Sequence, residues 1–355
     1  MRICFVVSDV RAQAPTFAGI YLAHAAHRRG ADVRFVSVDD LSFLDNNTIL
    51  ASTRRVRHGD YARPADYARA LTSDEAVVEE DNLGSFDVIF LRYNPGRDGS
   101  GRVGAPLIDF AWRLRLGGTL VVNDPEGLRR AGSRMYLGEG RRGLAARSRG
   151  ARSAQQLRRG GRAWPGPAVC KPWQPRGGEH VFVVKRRQVS NLNQIITTVT
   201  KHGYAIAQEY VPEIEKGEKR LLLLGAEPIR VGTKVAIYRR HTTIGNPQST
   251  ATTEAASRRS RCEFGPAEAR ICDLMRPKLL ADGLYCVGVD IGGDTVLAVT
   301  VLTPGGIHAI HALSGMDVSA IIVRALDGRL RLRAASRTHA APRVATRPRN
   351  RRSPG

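Results

Sequence analysis

The stretch VCKPWQPRGGEHVFVV, residues 169–184, sets Lys171 at the end of one apolar strand, with a Gly177-Gly178 turn before the next. A glycine turn lets backbone N–H groups close over phosphate oxygens, and a lysine beside it can neutralise their charge. An ordinary hairpin with an exposed lysine would read the same way. In AQEYVP, residues 207–212, an apolar strand runs into polar Gln208 and Glu209, followed by Tyr210 and Val211. Backbone groups at such an end can hydrogen-bond the edge of a flat heterocycle, although a plain strand end has the same pattern. Glu218 and Arg220 stand one residue apart in EKGEKRLLLL, which is also the composition of a solvated charged turn. Asp290 ends the apolar run YCVGVD; a Gly-Gly-Asp turn and a second apolar strand follow.

The elements that must position these residues come in two patterns. Residues 1–125 alternate strands (RICFVVSD, DVRFVSVDDL, SFDVIFLRYNP, TLVVNDP) with amphipathic helices (TFAGIYLAHAAHRRGA, PLIDFAWRLRLGG). Such alternation implies a parallel sheet with helices on its faces, a Rossmann-like α/β domain. No Gly-x-Gly-x-x-Gly follows the first strand, which argues against a dinucleotide site there. Beyond residue 163 the pattern becomes antiparallel α+β. It runs through the strand PAVCKPW, a strand in RGGEHVFVVKR, the helix NLNQIITTVTKHG, the strand YAIAQEYVP and a hairpin around Gly225-Ala226. The helix PAEARICDLMRPKLLADG, the two strands around Asp290 and a last helix, MDVSAIIVRAL, complete it.

Each motif is weak alone, but their order is specific. With VVNDPEGLRRAGSRMYL at the domain junction and LRYNP before it, the chain resembles the ATP-grasp ligases, in particular bacterial glutathione synthetase. Within that group it is most similar to the glutathione-synthetase-like branch of GAK-system ATP-grasp enzymes. The resemblance implies a Rossmann-like pre-ATP-grasp domain (1–125) followed by an ATP-grasp domain (126–328). It implies ATP and Mg²⁺ as cofactors, and a small carboxylate and an amine as substrates. ATP phosphorylates the carboxylate to an acyl phosphate, the amine attacks, and phosphate leaves; charge neutralisation and exclusion of water carry most of the catalysis. By the same resemblance Lys171 and Arg134 face the ATP phosphates, and Gly177 and Gly178 cover them. Gln208, Glu209, Tyr210 and Val211 hold adenine, and Glu218 meets the ribose. Arg220 faces phosphate and substrate, Arg239 and Asn246 lie toward the substrate carboxylate, and Asp290 is the first metal ligand. The family often forms dimers or tetramers; no residue here marks such an interface.

The chain departs from the family pattern where chemistry is most demanding. Pro175 and Arg176 precede the glycine pair and His180 follows it. Proline removes an N–H donor, and histidine resists the positive φ that glycine allows. Arg134 stands where the family has lysine, and Ile244 where an arginine is expected. Eight and ten residues beyond Asp290 the family pattern calls for an acid and an asparagine; here they are Ala298 and Thr300. One aspartate with phosphate oxygens could hold Mg²⁺ only weakly. Three functions therefore stand side by side: a carboxylate–amine ligase, a degenerate member that binds nucleotide or a partner without catalysis, and a nucleic-acid binder.

The third reading comes from charge. The 355-residue chain carries +22, but residues 138–163 hold eight arginines and one acid, and residues 329–355 hold nine arginines and no acid. These two runs account for +7 and +9, leaving +6 for the rest. Their Arg/Ala/Gly/Ser composition reads as a disordered insert and a disordered basic tail, or as the product of a frame change in a GC-rich gene. A charge confined to such runs, with few aromatics, argues against nucleic acid as the main partner. Five scattered cysteines without a Cys-x-x-Cys spacing suggest no zinc site or disulfide framework. With no membrane span or signal peptide evident, a reduced cytoplasmic setting is expected.

Overall fold

The computed structural model describes residues 1–93, 104–132, 134–139, 143–162, 166–173, 180–185, 191–201, 203–241 and 258–340. The chain begins with β1 (Arg2–Val7), α1 (Ala18–His27), β2 (Asp32–Ser37), β3 (Leu41–Phe43), β4 (Ile49–Arg55), α2 (Pro64–Thr72) and β5 (Val77–Asn82). It continues with β6 (Val88–Arg92), α3 (Gly104–Leu116), β7 (Leu120–Val122) and α4 (Pro125–Ala131). The strand β1 is apolar on both faces and lies centrally, paired in parallel with β2 and β6, and β7 extends the parallel set beyond β6. This is the α/β domain the alternation implied. Its other edge is an antiparallel extension, β4 beside β2, flanked by β3 and β5. That extension escaped the sequence reading because ILASTRR and VVEEDN are too polar to signal strands. Cross-strand ion pairs support it instead: Arg34, 8% exposed, meets Glu79 at 3.0 Å and Asp81 at 3.3 Å, and Thr53 Oγ1 donates to Asp81 at 2.6 Å.

The second sheet holds β8 (Ser148–Ala151), β9 (Ala168–Pro172), β10 (Phe182–Val184) and β11 (Ala205–Glu209) in the order β10-β9-β11-β8. The helices α5 (Ala154–Arg162) and α6 (Leu192–Thr200) cover it through Leu157, Ile196 and Val199. This corrects the reading of residues 138–163 as a disordered insert. The run supplies β8 and α5, and its few apolar residues are the ones buried: Leu144, Ala146, Ala151 and Leu157. Composition failed there because two short elements on a small sheet need only a handful of apolar contacts.

The third sheet begins with β12 (Glu218–Leu224), β13 (Glu227–Pro228) and, apart from it, the two-stranded β14 (Arg230–Val231) and β15 (Lys234–Val235). It is completed by β16 (Ile237–His241), β17 (Arg258–Ser260), β18 (Cys286–Gly292) and β19 (Thr295–Thr300), ordered β17-β16-β12-β18-β19. The helix α7 (Pro266–Ala281) packs on one face through Ile271, Met275 and Leu279. The chain ends in α8 (Ile307–Ser314) and α9 (Val318–Ala340). Both return to the N-terminal domain, where Ile310, Ile322, Val323 and Leu326 share a core with Ile20, Phe5 and Phe35. The expected basic tail is thus helical from 329 to 340, with Arg329 over the Tyr285 ring at 4.1 Å; residues 341–355 lie outside the described residues. Among the described residues no helix is long and apolar enough to cross a membrane. All five cysteines are free.

Candidate functional site

Strand alternation decides which residues of β12 meet which neighbours. Glu218 and Arg220 point to one face and Lys219 to the other. On β16 Glu218 pairs with Arg240 and Lys219 with Arg239; on β18 Arg220 pairs with Asp290. One face of the third sheet therefore gathers Glu218, Arg220, Arg240 and Asp290. Arg220 Nη2 donates to Asp290 Oδ2 at 2.8 Å, and its Nε donates to Oδ1, a two-pronged pair with both partners buried. Arg240 Nε donates to Glu218 Oε1 at 2.7 Å, and its Nη2 lies 3.6 Å from Asp290. Arg239 does not join this group. It turns to the opposite face, donates to the Lys216 carbonyl at 2.9 Å, and lines a cavity of about 480 Å³ with Lys219 and the first turn of α7. Gly217, at φ 92°, makes that crossing possible: a Cβ there would come within 2.9 Å of Arg239 Cγ.

The second sheet faces this group with Lys171 on β9 and Gln208 on β11. Both are buried, and Lys171 Nζ donates to Gln208 Oε1 at 2.6 Å. The Lys171 charge also reaches Asp290. Burial alone would push the Asp290 carboxyl up, but Arg220, Arg240 and Lys171 together hold it below the usual carboxylate range. Glu218 goes the other way: burial, then the nearby Asp290 charge, raise it above its ordinary value despite Arg240.

Beyond Gln208, Glu209 forms a two-pronged pair with Arg147 at 2.6 and 2.8 Å, and its amide bonds the Arg147 carbonyl at 2.8 Å. The Tyr210 amide bonds the Pro167 carbonyl at 3.1 Å, and its hydroxyl donates to Glu215. Val211 is buried against Ala146, Leu297 and Ile214. Its amide has no hydrogen-bond partner among the described residues. His180, after the glycine turn, holds φ of 57°, a left-handed backbone that histidine adopts at a cost. Gly177, Gly178 and Asn246 lie outside the described residues, as does the side chain of Arg134.

Three residues here went unread in the sequence. Arg240 is one position from Arg239, and only the strand register tells which of the two faces Asp290. Arg147 lies in the run taken for disorder. Asn123, 2% exposed, locks the N-terminal domain onto the strand that carries Asp290. Its Nδ2 donates to the Cys286 and Val301 carbonyls at 2.8 and 2.7 Å, and its Oδ1 accepts from the Cys286 amide at 2.7 Å. An asparagine is the one side chain that both donates and accepts through a planar amide of this size, save glutamine.

Asp290 sits directly opposite Ala298, and Gly288 opposite Thr300, so both expected ligand positions do share the Asp290 face. They bring no carboxylate. Both oxygens of Asp290 are bonded to Arg220, and Glu218 is bonded to Arg240. Asp294 lines the cavity on the opposite face. Among the described residues no three His, Cys, Asp or Glu side chains converge. Among the described residues, the site does not supply the acidic cage for the Mg²⁺ that the resemblance implied.

Two family descriptions match the chain: the N-terminal domain of prokaryotic glutathione synthetase over residues 1–129, and its ATP-grasp domain over residues 147–315. The chain belongs to the prokaryotic glutathione synthetase family. The second match begins inside the arginine-rich run, which agrees with β8 and α5 being part of the fold. A glutathione synthetase of Gloeobacter violaceus is 29% identical over 328 residues, covering 91% of this chain and 95% of that one. A glutathione synthetase of Vibrio vulnificus is 27% identical over 311 residues, covering 87% and 91%. Among solved structures, the D-cycloserine synthetase DcsG superposes with a TM-score of 0.63 at 15% identity over 92% of this chain and 99% of its own. The D-Ala:D-Ser ligase VanG of Enterococcus faecalis gives 0.58 at 14% identity, over 93% and 99%. These two likenesses show an ATP-grasp fold.

Proposed function

We propose that this family member binds an adenine nucleotide between its second and third sheets and has lost most or all ligase turnover. The observation that carries this reading is Ala298 directly across from Asp290, with Asp290 itself bound to Arg220. Nucleotide fits the donor set that remains. Lys171, Arg220 and Arg240 offer positive charge to phosphates, the Val211 amide offers a donor to a purine edge, and the Glu218 carboxylate offers an acceptor to ribose hydroxyls. ATP, when bound, would supply the phosphoryl group that activates a carboxylate. That transfer depends on neutralising charge as it develops on the phosphoryl oxygens. With one of the expected acidic ligands replaced by a methyl group, the neutralising cation has no cage.

The test is a pair of measurements on the full chain. Calorimetric titration reports ATP binding, and phosphate release with γ-glutamylcysteine and glycine, the two parts of glutathione, reports turnover. Binding without appreciable phosphate release is the expected result. Release at an ordinary enzymatic rate, of order 1 s⁻¹ or more, would show that the ligase is intact and the reading wrong.

A further inference from the structure

We infer that nucleotide binding by this chain needs no divalent cation, because Arg220, Arg240 and Lys171 supply the positive charge that a bound metal would otherwise bring. The inference rests on the nucleotide reading above and deepens it. Among the described residues, the charged groups gathered where the second sheet meets the Asp290 face are three cations, Lys171, Arg220 and Arg240, and two carboxylates, Glu218 and Asp290. The sum of these five is +1. A carboxylate at position 298, directly opposite Asp290, would bring it to zero, and the phosphates would then need an added cation. With alanine there, the surplus charge is built into the protein.

Arg220 is held by Asp290 through two nitrogens, and Lys171 Nζ donates to Gln208 at 2.6 Å, so both cationic heads are fixed on this face. Free ATP carries about two more negative charges than its magnesium complex. A cluster of net positive charge in a partly desolvated gap therefore favours the free nucleotide.

The experiment is calorimetric titration of ATP and ADP into the full chain, once in EDTA and once in excess Mg²⁺. The expected result is binding in EDTA at least as tight as in Mg²⁺. Binding seen only with Mg²⁺ would overturn this inference and leave the nucleotide reading standing. Absence of binding in both buffers would overturn both. Two variants sharpen the outcome. Arg240→Gln should weaken ATP binding in EDTA about tenfold or more, the worth of one charge-assisted hydrogen bond. Ala298→Glu, a substitution on a partly exposed strand face, should abolish the EDTA binding and make affinity depend on Mg²⁺. Unchanged EDTA binding in Ala298→Glu, with native circular dichroism, would show that local charge does not govern the site.

Discussion

Replacing Asp290 by asparagine keeps the shape and removes the charge. In the native fold Asp290 is 5% exposed, bonded twice to Arg220 and 3.6 Å from Arg240. The variant leaves the Arg220 guanidinium buried with at most one good acceptor, since an amide cannot match both prongs. Breaking a buried pair from one side costs about 3–5 kcal/mol. The Coulomb figure agrees, at about 4 kcal/mol for unit charges 4 Å apart with an effective dielectric near 20. Urea unfolding followed by circular dichroism should therefore show Asp290→Asn less stable by about 3–5 kcal/mol. Asp294→Asn, on the exposed turn four residues on, should stay within about 0.5 kcal/mol. Adding Arg220→Met to Asp290→Asn should recover part of the loss, because the orphaned charge goes with it. A loss below about 1 kcal/mol for Asp290→Asn, the range of an exposed pair, would refute the reasoning. It would mean that Asp290 is held loosely enough to serve as a cation ligand, and the case against a metal would fall with it.

Asn123→Ala removes three buried hydrogen bonds to the Cys286 backbone and the Val301 carbonyl. At about 1–3 kcal/mol for each buried group left unsatisfied, the variant should unfold at least 3 kcal/mol more easily, read by the same urea titration. Leu326→Ala, fully buried on α9, should cost about 2–5 kcal/mol, whereas Leu332→Ala, 71% exposed, should be close to neutral. Equal effects would mean that α9 does not pack as described. Asp282 is pushed up by burial but held below its ordinary value overall by Arg130, Lys278 and Tyr136. Its stabilising contribution is complete above the unfolded-state pKa, near 4, and drains away as pH falls through the lower folded value. Asp282→Asn should flatten that acid limb of the stability–pH curve.

The order of elements and the α/β start with its antiparallel continuation were legible in the sequence, and Lys171, Gln208, Glu218, Arg220 and Asp290 could be named there as candidates. Apolar periodicity and glycine punctuation are local properties, and these residues sit at the ends of clearly apolar strands. The polar strands β4 and β5 were not legible, because charges held by partners on neighbouring strands look the same in sequence as charges facing water. The arginine-rich run was misread for a related reason: composition cannot reveal that Ala151 and Leu157 find a small sheet to cover. The site itself depended on register. Resemblance to the family implied that Ala298 and Thr300 stand where an acid and an amide are expected. Only the pairing of β12 with β16 and β18 decided that Arg240, and not Arg239, shares a face with Asp290. A shift of one residue in a strand reverses which side a side chain faces, and that choice belongs to the hydrogen-bonded sheet rather than to any single strand.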